Sequence, residues 1–154
     1  LILRKPTRDH RMEPIEAYNA ALDRRHALQR QARNAGISEE YIDLLVESFY
    51  EKVRAHPELG PVFNEVIQDR WPEHLAKMKL FWTSVALRTG DYKGSPVPVH
   101  RSLTNATADH FPTWLFLFYQ TLEETAPSPE AAKIFQTFAQ SIAARLQQVM
   151  FSTN

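Results

Sequence analysis

Apolar positions recur at steps of three and four along four stretches of this chain, the spacing that lays them on one side of an α-helix. In the first stretch they are Ile42, Leu45, Val46, Phe49, Tyr50 and Val53. Ser38 is placed to cap it, Glu39 and Glu40 complement the helix dipole, and His56-Pro57 ends it. A second helix begins at Pro72, presents Leu75, Met78, Phe81, Trp82 and Val85, and closes at Thr89-Gly90. A third starts near Asp109 and carries Phe111, Trp114, Leu115, Phe118 and Leu122. The fourth is capped by Ser128-Pro129-Glu130 and carries Ile134, Phe135, Phe138, Ile142, Leu146 and Val149. Upstream, residues 14–33 read as a helix that is polar nearly all round. Residues 57–63 read as a tight corner, and Gly94, Pro96 and Pro98 forbid a regular helix across residues 91–99. No stretch alternates apolar and polar residues for long enough to form a sheet, so the class is all-α. Four such helices pack either as an up-down bundle or as crossed pairs. The long Pro/Gly break before His100 argues against the bundle, whose loops are short.

Composition narrows the function classes. The chain has 154 residues, enough for one core that shelters a sizeable cofactor. It contains 18 Lys and Arg against 18 Asp and Glu, a balance that speaks against a nucleic-acid or membrane-surface partner. The balance is uneven, because residues 1–35 carry eight basic side chains against four acidic ones. Residues 1–36 therefore read as a basic extension, partly helical or disordered, and 37–154 as the folded domain. Met12 is a conceivable natural start, the first residues do not resemble a secretory signal, and no apolar run is long enough for a membrane span. There are no cysteines, which excludes thiolate metal sites, thiolate haem ligation and Cys-x-x-Cys-His haem attachment, and fits a cytoplasmic protein.

No His-Glu-x-x-His, phosphate-cradling glycine loop, nucleophile elbow or paired Glu-x-x-His is present. What stands out is a set of aromatic side chains (Phe49, Tyr50, Phe63, Phe81, Trp82, Phe111 and Trp114) that would line a large apolar slot. Such stripes are ordinarily core packing. Two histidines change that reading: His74, which Met78, Phe81 and Trp82 follow along the same helical surface, and His100, just past the Pro-broken stretch. Imidazoles on either side of an aromatic slot suit a flat macrocycle between them, of which only one needs to bind the metal.

The ordered runs Phe49-Tyr50-Glu51-Lys52-Val53-Arg54, Leu59-Gly60-Pro61-Val62-Phe63, Trp71-Pro72-Glu73-His74 with Phe81-Trp82, Tyr92-Lys93-Gly94-Ser95-Pro96 leading to His100, and His110-Phe111-Pro112-Thr113-Trp114-Leu115 resemble the truncated haemoglobins, in particular the group III branch found in bacteria. The likeness covers about residues 37–150. It implies a truncated globin fold, with crossed helix pairs, two over two, around a haem b pocket. It also implies His100 as the iron ligand, Tyr50 and Trp114 over the distal face, and His74 at the distal entrance. Phe63 would pack on the haem plane, with Phe49, Met78, Phe81, Trp82, Leu103 and Phe111 around it. The expected partners are dioxygen, nitric oxide or another diatomic ligand, and an unidentified reductase. A phenol and an indole N–H aimed at a polarised gas ligand are each stronger than an ordinary hydrogen bond, and together they would slow its release by roughly 100-fold. That stickiness suits a scavenger, a sensor, a nitric oxide dioxygenase or a peroxide-handling protein better than a carrier. The competing reading is a haem-free helical interaction protein whose aromatic slot is only core.

Overall fold

A computed structural model of the chain describes residues 13–90 and 105–151, and among them has six helices and no strand. They are α1 (Pro14–Asn34), α2 (Glu39–Ala55), α3 (Leu59–Ile67), α4 (Trp71–Leu87), α5 (His110–Thr125) and α6 (Pro129–Phe151). His100 and Leu103 lie outside the described residues.

The helices start where their local chemistry directs. Ser38 is extended and its hydroxyl accepts the backbone N–H of Tyr41 at 3.0 Å. Ser128 does the same for Ala131 at 3.1 Å, and its own O–H donates to the Ala35 carbonyl at 2.6 Å. One serine thus starts α6 and ties it to the link between α1 and α2. Gly36, in that link, has φ +97 and leaves no room for a side chain against Pro127.

The core is built around α2, which packs on α3, α4 and α5, while α5 packs on α6. The predicted apolar face of α2 is the buried one: Ile42, Leu45, Val46, Phe49 and Val53 are all 1% exposed or less. Below it, Phe118 is stacked between Trp82 at 5.1 Å and Trp114 at 5.6 Å, with Phe49 edge-on at 5.1 Å. Truncating such a fully buried phenyl ring typically costs about 3–5 kcal/mol. On the far side, the last three turns of α1 dock on α4. Arg25 and Gln29 donate to the carbonyl of Arg88 at 2.9 and 3.4 Å, and Ala32 is buried in the same core. Ile15 and Tyr18, nearer the start of α1, are exposed. Among the described residues no helix is long and apolar enough to cross a membrane.

The corner expected at residues 57–63 is instead the start of a helix, α3. Pro61 looks like a breaker, but it is the third helical residue, where a backbone N–H has no partner within the helix to lose. The missing cap comes from His56, whose Nδ1 accepts the N–H groups of Glu58 at 3.1 Å and Leu59 at 3.2 Å. Gly60 lets α3 approach the end of α2: a Cβ there would lie 2.6 Å from the Arg54 carbonyl oxygen. Alanine in place of a helical glycine ordinarily stabilises by about 0.5–1 kcal/mol. Here Gly60→Ala is expected to destabilise by about 1–3 kcal/mol, the usual cost of overpacking, because backbone and not a flexible side chain must yield. A urea titration checks the sign, and a raised midpoint would reject the close approach.

Candidate functional site

Helices α2, α3 and α4 bring five of their aromatic rings, one an imidazole, to one place. Tyr50 on α2 is buried, and around it stand Phe49 at 4.9 Å, His74 at 5.1 Å, Trp71 at 5.8 Å and Phe63 at 6.1 Å between ring centroids. The His74 ring is perpendicular to that of Tyr50, and its Nε2 is buried. Periodicity explains the meeting. Trp71, His74, Met78 and Phe81 follow at steps of three and four, so they lie along one side of α4, which packs on α2.

Tyr50 is the unusual member. Its hydroxyl makes no hydrogen bond to any of the described residues, although the ring is 5% exposed. Burial alone therefore pushes its phenol well above the ordinary tyrosine value, with no hydrogen bond opposing the shift. Tyr41, nine residues earlier on the same helix, shows the common arrangement. Its hydroxyl bonds Thr125 Oγ1 at 3.0 Å, which pulls back part of the rise that burial causes. A core tyrosine with its hydroxyl satisfied on the protein is thus the case at 41 and not at 50. The phenol at 50 stays neutral and keeps its proton to donate.

The remaining expected site residues fall into three settings. Trp114 on α5 is half-buried and reaches the Tyr50 cluster through Phe49, which is edge-on to both rings (5.4 Å to Trp114). Its indole N–H likewise has no partner among the described residues. Met78 and Phe81 are half-buried and lie against the core from α4. Trp82 is buried inside that core, on Phe118 and edge-on to Phe135 at 5.8 Å, and Phe111 meets Phe151 near the end of α6 at 6.2 Å. The structure adds Trp71, which the sequence reading did not place in the site. Its signal was its position three residues before His74. Among the described residues no three His, Asp or Glu side chains come together as a group that could hold a metal ion.

No protein-family model matches this chain. It is 37% identical over 118 residues to the group 3 truncated hemoglobin of Campylobacter jejuni, a match spanning 75% of this chain and 92% of that protein. The crystal structure of the group III truncated hemoglobin from Campylobacter jejuni superposes with a TM-score of 0.71 at 36% identity, covering 77% of this chain and 94% of that one. The all-helical architecture is that of the truncated globins. With 37% identity across 92% of that relative, and the same helix arrangement, this chain belongs to the group III truncated haemoglobins.

Proposed function

We propose that this globin-type ligand-binding protein holds one haem b through His100 and takes a diatomic gas beside Tyr50. The observation that carries the proposal is the Tyr50 hydroxyl, left without a protein partner on a buried ring packed among Phe49, Phe63, Trp71 and His74. A hydroxyl that no protein group engages keeps its proton for a ligand that arrives beside it. The donor set fits a haem. The half-buried Phe63, Met78, Phe81 and Trp114 offer apolar and π surface. Haem, when bound, supplies an iron that accepts one protein imidazole and one small ligand.

Each residue then has a job stated by its chemistry. His100, whose place in the sequence matches the family's proximal segment, would ligate through Nε2. Tyr50 Oη and Trp114 Nε1 would donate to the gas, two fixed dipoles in a site from which bulky aromatic walls exclude water. His74 would stand at the entrance, within ring contact of Tyr50. Phe49, Phe63, Met78, Phe81, Leu103 and Phe111 would fill the walls, with Trp82 behind Phe81 at 5.3 Å. Strong retention of the gas suits oxidation of nitric oxide or handling of peroxide, with electrons supplied by a reductase.

Addition of haem to the purified chain tests the first part. One haem is expected per chain, with a Soret band. A featureless titration would leave the aromatic slot as core and favour the haem-free interaction protein. Nitrate production from nitric oxide, dioxygen and a reductant tests the second. A turnover no faster than the uncatalysed reaction would reject the nitric oxide activity while leaving gas binding in place.

A further inference from the structure

We infer that Trp71 is a positioning residue for the Tyr50–His74 pair, clamped by Asn64 on one side and Arg54 on the other. The inference rests on the reading of this pocket as a ligand site. Tyr50, His74 and Trp71 form a closed triangle of rings: 5.1 Å between Tyr50 and His74, 5.5 Å between His74 and Trp71, and 5.8 Å between Trp71 and Tyr50. Two of the three carry polar groups that can reach a ligand. The third does not, because the Trp71 N–H donates to Asn64 Oδ1 on α3 at 2.9 Å. The indole is 4% exposed, and its outer face is covered by the Arg54 guanidinium of α2, 4.6 Å from the ring centroid. One side chain on α4 is therefore gripped from α2 and α3, and its edges fix the two rings that would face the gas.

Outside the clamp lies a surface hollow of about 610 Å³ bordered by Arg54, Trp71, Leu75, Glu47 and Lys79, the last two joined by an ion pair of 2.7 Å. Trp71 borders that hollow and also packs against the Tyr50 ring, 5.8 Å away between centroids. A hydrogen bond to a bound gas needs its donor placed within a few tenths of an ångström. Loosening the indole would move both polar rings at once and let water toward them, without removing either.

Asn64 and Arg54 are exposed, so they can be changed without opening the core. The test compares the wild type with Asn64→Ala, Arg54→Met, the double variant and Asn64→Asp, which keeps an acceptor for the indole. In chains with carbon-13-labelled tyrosine and no haem, the Tyr50 ring-flip rate is expected to rise about tenfold in Asn64→Ala, in line with the net loss of one hydrogen bond. It should rise further in the double variant and return to the wild-type value in Asn64→Asp. In haem-loaded ferrous protein with carbon monoxide, the C–O stretching band should shift and broaden in the same order. Wild-type flip rates and an unshifted band in the double variant would overturn the inference. A missing Soret band would overturn the haem reading instead, and the flip rates would still decide the role of Trp71.

Discussion

Replacing His100 with glycine is expected to abolish normal haem retention, and added imidazole is expected to restore it. The chain has six histidines, at positions 10, 26, 56, 74, 100 and 110. The structure occupies two of them with backbone work. His56 Nδ1 caps α3, and His110 Nδ1 accepts the Thr107 N–H at 3.0 Å as α5 begins. His26 lies exposed on α1, remote in sequence from every ring of the Tyr50 cluster. That leaves His74, inside the cluster, and the two outside the described residues, His10 and His100. His74 is in ring contact with Tyr50, so on the proposed reading it stands on the gas side and the ligand role falls to His100, which the family resemblance places in the proximal segment. Loss of a direct ligand should weaken haem binding at least roughly 100-fold, beyond the 10–100-fold typical of outer-shell changes. The matching His74→Gly protein should keep its haem. A His100→Gly chain with wild-type haem affinity and spectrum would transfer the ligand role elsewhere.

The second large effect is on the gas. Tyr50→Phe is expected to speed dioxygen dissociation roughly 10- to 100-fold, the value of one charge-assisted hydrogen bond, and Trp114→Phe to do the same by a smaller factor. Stopped-flow displacement by carbon monoxide measures both. Folding should hardly notice Tyr50→Phe, because the hydroxyl has no partner among the described residues and its removal breaks no protein hydrogen bond. Fast release with unchanged stability separates a donor from a structural hydroxyl; the reverse result would make Tyr50 a core residue. The pH dependence follows in sign. Burial holds the Tyr50 phenol above its ordinary value of 10.0, so it stays protonated across the neutral range and the slow release should be flat there. The folded state binds that proton more tightly than the unfolded chain. Its stabilising contribution is therefore complete below pH 10.0 and declines as the pH climbs above it.

The residues divide between what local pattern reveals and what it hides. The Ser38 and Ser128 caps were legible because a cap is a contact between neighbours in sequence. The buried face of α2 was legible because burial there follows helical period. The helix at residues 59–67 was not, because its cap is an imidazole from the preceding turn and its glycine matters only through the carbonyl of Arg54 on another helix. By helical period alone, Trp82 and Trp114 both fall on the apolar faces of their helices. Yet one is 3% exposed, inside the stack on Phe118, while the other is left half-covered at its edge.

By itself, then, the order of residues determined an all-helical chain, the span and inward face of its principal helices, and the set of rings and imidazoles available for a site. These depend on spacing and on neighbours within a turn. Only the tertiary structure decided that Tyr41 spends its hydroxyl on Thr125 while Tyr50 keeps its own, and that Trp71 stands beside Tyr50 and His74. Those outcomes are set by contacts between residues far apart in sequence, where two tyrosines on one helix meet different neighbours and acquire different chemistry.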